Sequence, residues 1–364
     1  MATYTPAQLY GSGSIGENFS SSILFSFSNP TDSSYFTLET VRNANAFYDS
    51  TSPKTISGSW IASAPIGFVT MSSQVASVVV PPGNSSLFFN PATSVTGSRY
   101  YLRGTGAFTL TTFTPKNLFA SSEKGVWFDA SDLTTLFQDS AGTVPVTTVG
   151  QPVGKWLDKS GNNNHAIQNV SASRPTYQID NEGNPNITFT KSGTQLVTPS
   201  IDFTATAQMT ACVGLHVTDS GSAGVALELG ADVNSVNGSF LFGAPSSASD
   251  HSLYLRGTST IRAAVNNVVD GDDIITGLFD ISQATKELEL IPRLNFIQIT
   301  GSGITWTGTD AGTGNFGNLP LYIGSRSGIT TPYGGKIYQI IVRGAASTSN
   351  QIYQTEAWTD AKLD

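Results

Sequence analysis

The chain has 364 residues, a formal net charge of −8, only 12 % charged residues, 39 % hydrophobic residues and 36 glycines. That length leaves room for one large domain or two to three ordinary ones, and apolar residues spread along the chain exclude a disordered polypeptide. An acidic balance without a Lys/Arg cluster excludes a nucleic-acid surface, no apolar run approaches the length of a spanning helix, and a single cysteine, Cys212, excludes an intrachain disulfide or a Cys-based zinc site.

The first residues, MATYTPAQLYGSG, lack a basic head and an apolar run and are not read as a secretory signal, so synthesis in a cytoplasm is expected. Gly11-Ser-Gly13-Ser-Ile-Gly16 formally fits a dinucleotide fingerprint, but Glu17-Asn-Phe-Ser after it is no helix, so it reads as a lead-in. Ile23–Phe27 and Tyr35–Val41 alternate like strands around an Asn29-Pro30 turn. Ser57–Ile61, Ile66–Met71, Val75–Val80, Leu87–Phe89, Arg99–Leu102 and Ala107–Phe113 follow at short spacing. Short strands punctuated by Gly, Pro and Asn predict a small β-sandwich or barrel over residues 1–115. The boundary falls at Thr114-Pro115-Lys116-Asn117, and residues 116–364 form a second module.

In that module Val126–Asp129 reads as a strand, and Ser131–Phe137 as a helical turn capped by Ser131. Val153–Leu157 and Ala166–Val170 are extended pieces around a polar loop, Asp158-Lys-Ser-Gly-Asn-Asn-Asn-His165. Ile187–Phe189 and Gln195–Val197 come next. In Met209–Val217 the odd positions are apolar, while Cys212, Gly214 and His216 fall on the other face; this predicts a central strand. Further strands are expected at 224–229, 239–242, 252–255, 261–265, 274–280, 286–291, 296–299, 304–307, 319–324 and 336–343. Only Ser349–Leu363 has helical spacing, with Tyr353, Ala357 and Ala361 recurring at four and Ser349 placed to cap. Tyr101-Leu-Arg-Gly-Thr and Tyr254-Leu-Arg-Gly-Thr match without matching flanks, so they read as one strand-to-turn solution used twice.

The candidate sites are few. Asp270, Asp272 and Asp273 offer carboxylates that could hold Ca²⁺, although Asp-Gly also reads as a solvated hairpin turn; no other cofactor is indicated. Asp158 with Asn162–Asn164 is a second oxygen cluster, with self-capping of the loop as the competing reading. His165, His216 and His251 have no metal spacing, and no G-x-S-x-G marks a nucleophile. Glu287 and Glu289 share one face of a half-buried strand. Trp127 and Trp156 read as core. Trp306, in a Gly-rich segment beside Asp310 and Asn315, is the aromatic placed to stack on a sugar; packing on the sandwich is the alternative.

Three segments carry a resemblance: GVWFDASDLTTLFQDSAGTVPVTTVGQPVGKWLDKSGNNNHAIQ (125–168), RPTY (174–177) and LYIGSRSGITTPYGGKIYQIIVRG (321–344). They resemble the concanavalin-A-like (laminin-G-like) jelly-roll domains of tailed-bacteriophage structural proteins. PAQLYGSG and SSYFTLETVRNANAFYDSTSPK are similar to small β-modules of virion proteins. The resemblance implies an all-β chain: an N-terminal sandwich or barrel, then a jelly-roll sandwich with a short C-terminal helix. It further implies a non-enzymatic virion protein, as capsid decoration, fibre or tail-associated adhesin. The first module would hold other virion proteins and the second would meet host-surface polysaccharide. A homo-oligomer, a trimer by preference, is expected. The alternative is a carbohydrate-active enzyme, yet the E-x-D-x-x-E run of the family's hydrolases is missing.

Overall fold

A computed structural model describes residues 77–80, 85–89, 101–104, 108–218, 221–247, 250–266 and 271–363. The chain divides into two units, Met1–Phe113 and Thr114–Asp364. Of the first, four strands are described: β1 (Ser77–Val80), β2 (Ser85–Phe89), β3 (Tyr101–Gly104) and β4 (Phe108–Thr112). β1 pairs with β3 and β2 with β4, both in parallel. Gly11–Gly16 and the strands expected before residue 75 lie outside the described residues.

The second unit is two sheets face to face. In chain order its strands are β5 (Gly125–Asp129), β6 (Leu136–Phe137), β7 (Lys155–Trp156), β8 (Ala166–Ile167), β9 (Thr176–Ile179), β10 (Pro185–Phe189), β11 (Leu196–Asp202), β12 (Gln208–Val217) and β13 (Val225–Leu229). Then come β14 (Ser239–Ser247), β15 (Asp250–Arg256), β16 (Thr260–Val265), β17 (Asp272–Asp280), β18 (Leu290–Leu294), β19 (Ile297–Gln298), β20 (Ile304–Thr307), β21 (Asn318–Ile323) and β22 (Gly335–Arg343). One sheet runs β19-β18-β17-β12-β22-β10-β9, with β5 sharing the β10 side of β22. The other runs β20-β16-β15-β14-β13-β21-β11-β8-β7-β6. Every strand pair in both sheets is antiparallel.

Period-two patterning explains the layering. Met209, Ala211, Val213 and Leu215 of β12 meet Phe240, Phe242, Leu253 and Leu255 of β14 and β15 in one continuous core. Phe279 stacks on Phe240 at 5.2 Å and meets Phe242 and Phe316 edge-on. As the alternation requires, β12 is central, between β17 and β22. Trp156 is fully buried against Phe128, and Trp127 is buried on the other face of β5, its ring edge-on to Trp358.

Local details correct the sequence reading. The turn after β5 is a single 3₁₀ turn, Leu133–Thr135, capped by the Asp132 carboxylate, while Ser131 donates to Asp129 instead. Lys286–Glu289 forms one α-turn (α1) before β18 and not the start of a strand, so Glu287 is exposed and Glu289 buried. The C-terminal helix α2 (Ser349–Asp360) is capped one residue earlier than expected: the Thr348 hydroxyl accepts Gln351 N–H, and Gln351 Oε1 accepts Thr348 N–H.

Helix α2 covers the outer face of β12, β17 and β22 largely through polar contacts. Glu356 grips Arg293 of β18 by two bonds of 2.7 and 2.8 Å, and Thr359 accepts from Gln339 at 2.8 Å. Leu363 joins Cys212, Ile274 and Tyr338 in a small apolar cluster. Gly214 lies beneath it; a Cβ there would come within 2.6 Å of Thr359 and 2.8 Å of Leu363. Gly214→Val is therefore expected to lower stability by about 1–3 kcal/mol through overpacking. The same variant should open the buried Cys212 thiol, pushed up to about 12 by burial, to a maleimide that leaves the wild type unlabelled. Chemical denaturation and labelling kinetics measure the two effects.

Candidate binding surface

The Asp158–His165 loop closes on itself. Asp158 Oδ1 accepts Trp127 N–H and Ser160 N–H at 2.9 and 2.8 Å; Oδ2 accepts the Ser160 hydroxyl and Asn164 N–H at 2.8 and 3.0 Å. The side-chain amides of Asn162 and Asn164 donate to the carbonyls of Glu123 and Gly125. His165 Nδ1 accepts Asp158 N–H at 3.0 Å, which puts the ring proton on Nε2; burial, aided by Lys155, lowers the pKa of the ring. The oxygens of this loop serve its own backbone, so self-capping is the reading the geometry supports.

The expected metal carboxylates diverge. Asp270 lies outside the described residues. Asp272 and Asp273 occupy successive positions of β17 and therefore opposite faces. Asp272 meets His216 Nδ1 and the Tyr338 hydroxyl, both at 3.0 Å. Asp273 meets His251 Nε2, from β15 of the opposite sheet, and the Asn295 amide, both at 2.9 Å. Among the described residues no three His, Cys, Asp or Glu side chains are grouped to hold a metal ion.

The expected sugar residues also separate. Trp306 stands opposite Ala263, whose side chain is in the core, so the indole turns inward; it packs half-buried against the core with Lys286 Nζ 5.6 Å from the ring centre. It is not the exposed platform. Asp310 accepts Gly312 N–H, and Asn315 donates to the Thr204 carbonyl at 2.7 Å, so both side chains close rim loops.

Among the described residues, Asp129 and Asp132 share Lys159, and Glu228 and Asp232 share Arg326, while Asp180 and Asp272 lie 2.8 and 3.0 Å from a neutral group, the Tyr338 hydroxyl. Burial alone would raise the Asp180 pKa. Bonds from Asn184 and Glu182 N–H and from Tyr338, with Lys336 nearby, outweigh that and hold it below the usual carboxylate range. A general acid needs the opposite shift. Glu289, whose pKa burial raises, is fully enclosed and accepts only Ala311 N–H at 3.0–3.2 Å.

The outer face of the ten-stranded sheet is different. Pairing aligns Ile167, Val197, Tyr322, Glu228, Leu241, Tyr254, Arg262 and Thr307 in one row across eight strands. At its centre Glu228 is buried under Arg326, which holds it through two bonds of 2.9 Å, and Val233 packs on Leu241. Toward the β20 edge the row opens into a half-exposed platform. Arg262 lies 5.7 Å over the Tyr254 ring, its Nε bonded to Ser252 Oγ at 3.0 Å. Arg256, two positions along the same face of β15, donates to Asn237 Oδ1 and Thr260 Oγ1 at 3.0 and 2.9 Å. Thr305 and Thr307 finish the surface, exposed. Tyr254 also packs on the Val225, Val233 and Leu241 cluster, so it presents its edge and hydroxyl between fixed polar groups, a surface that suits sugar hydroxyls. The signal for this platform was the Tyr254-x-Arg256 spacing, which places both side chains on one face of a strand.

No family model matches the chain, and no curated protein matches it. Among solved structures it is similar to domain 4 of AbnA, a GH43 extracellular arabinanase from Geobacillus stearothermophilus, in complex with arabinotriose; the two are 12 % identical over 65 % of this chain and 98 % of that one, TM-score 0.42. It is also similar to the CBM40 of Ruminococcus gnavus IT-sialidase bound to α2,3 sialyllactose, 15 % identical over 42 % and 83 %, TM-score 0.32. A third is the receptor binding domain of botulinum neurotoxin D, 7 % identical over 67 % and 53 %, TM-score 0.43. The sandwich rests on its own strand pairing.

Two outcomes test these assignments. Asp158→Ala strands buried donors and should cost about 2–4 kcal/mol in urea denaturation, while adding Ca²⁺ or EDTA leaves the wild-type midpoint unmoved. Because the pKa of Asp180 is depressed in the fold, its contribution is present above the unfolded value of about 4 and is lost as pH falls through the folded one. The stability gap between wild type and Asp180→Asn should thus be full at neutral pH and shrink toward pH 3.

Proposed function

We propose that this chain is a non-enzymatic structural protein of a tailed-phage particle, made in the host cytoplasm and assembled with other virion proteins as capsid decoration, fibre or tail-associated adhesin. Its 114–364 sandwich is a lectin-like module that meets host-surface polysaccharide, and the first unit attaches it to the particle. The chain works as a homo-oligomer, a trimer by preference. The observation that carries the binding role is the half-exposed Tyr254–Arg262–Arg256 platform on the outer sheet face. The virion role is supported by the resemblance of residues 125–168, 174–177 and 321–344.

The non-enzymatic reading is supported by where the buried carboxylates go. Asp158 closes a loop, Glu228 and Glu356 hold arginines, Asp273 holds His251, and Glu289 holds a backbone N–H. A carbohydrate-active enzyme is the competing reading, and Asp180 with Asp272 around Tyr338 is the pair it would use. Incubating the full chain with bacterial surface polysaccharides should show retention on the polymer with no release of reducing ends. Reducing sugar that disappears in Asp272→Asn would establish the enzyme instead. Gold-labelled antibody against the chain should decorate intact particles.

A further inference from the structure

We infer that the platform on the outer face of the ten-stranded sheet selects acidic saccharides, with Arg256 as the carboxylate-binding residue beside the Tyr254 ring. This rests on the glycan-binding reading and narrows it to a ligand class.

The first argument is the company Arg256 keeps. Arg293, Arg326 and Arg343 each bond to a carboxylate, on Glu356, Glu228 and Glu123 respectively, while Arg174 bonds to three backbone carbonyls through Nε and both Nη atoms. Arg256, half-buried on a sheet face, bonds only to neutral oxygens: Asn237 Oδ1 at 3.0 Å and Thr260 Oγ1 at 2.9 Å. A guanidinium has five N–H donors. Two are used here, and both point to groups that leave its charge uncompensated. In a chain of net charge −8 this is a cation held in place without an anion.

The second argument is rigidity. Thr260 Oγ1 is itself tied to the Val233 carbonyl at 3.1 Å, so the 230–238 loop holds Arg256 from two sides, through Asn237 and through Thr260. Gly238, at φ +69° in that loop, meets backbone atoms within 2.5–2.8 Å of where a Cβ would be, which fixes the loop against residues 315–317. A planar fork already fixed in space loses little freedom when it takes a carboxylate through two parallel bonds.

The third is geometry. Tyr254 and Arg256 are two residues apart on one strand, about 7 Å along it, and Arg262 faces Tyr254 on the next strand. Arg262 lies over the ring, which also packs on the Val225, Val233 and Leu241 cluster, so Tyr254 offers its edge and hydroxyl, with Arg256 beside it along the strand. A sugar acid would meet the edge and hydroxyl of Tyr254 with its carboxylate on Arg256. Asp250 lies on the same face four residues from Tyr254, at the far end of β15.

The test prints carboxylated glycans beside their methyl esters and neutral counterparts and probes them with the full chain, followed by titration calorimetry with the best acid–ester pair. The acid should bind at least tenfold tighter than its ester. Arg256→Gln should remove most of that difference, Arg256→Lys should keep part of it, and both variants should keep a single cooperative urea transition. Tyr254→Ala should weaken acid and ester alike. Equal binding of acid and ester, still sensitive to Tyr254→Ala, would overturn the acidic selectivity and leave the glycan-binding reading standing. Binding to neither set would overturn both.

Discussion

Burial of apolar side chains between the two sheets is the interaction on which the rest of the Thr114–Asp364 unit depends. Each fully buried Val, Leu, Ile or Phe contributes about 1.5–3 kcal/mol, whereas an exposed ion pair contributes about 0–1. One buried cysteine supplies no cross-link, so nothing else in this unit is of comparable size. The continuous core joins β5, β12 and β22 of one sheet to β13, β14, β15 and β21 of the other. Every surface feature is a side chain projecting outward from strands that this core has already fixed.

Polar groups then decide details that the core leaves open. Asp129 gathers Ser131, Lys159 and Lys362, and the two lysines lie over Trp127 and Trp358. This joins the first strand of the sandwich to the end of the last helix. Helix α2 is seated by the Arg293–Glu356 fork and by Thr359 more than by an apolar stripe. Polar seating favours one rotation of the helix over its neighbours, because a half-turn would strand a buried carboxylate.

Much of this was legible in the sequence, because strand alternation is a local signal. The face assignment in Met209–Val217 and the core positions of Trp127 and Trp156 needed only period-two counting. The misplaced details have non-local causes. Trp306 faces inward because its register against Ala263 says so, and register is a property of two strands. Ser131 and Ser349 were reasonable caps, but adjacent Asp132 and Thr348 hold the non-helical position just before each turn, from which a side chain reaches the free N–H groups. Lys286–Glu289 alternates well enough for a strand, yet it begins after the tight turn at β17, where one helical turn buries Glu289 against Ala311. Tyr254 and Arg256 were visible as a recurring pentapeptide, but their meaning needed the loop that brings Asn237 to them.

The bond between His251 and Asp273 has a mechanical side. It links β15 in one layer to β17 in the other, beside a core of apolar side chains that can slide past each other. Dispersion contacts resist separation of the layers better than they resist shear, whereas a directional bond resists both. A sandwich loaded along its layers meets in this bond a rivet against slippage at one end.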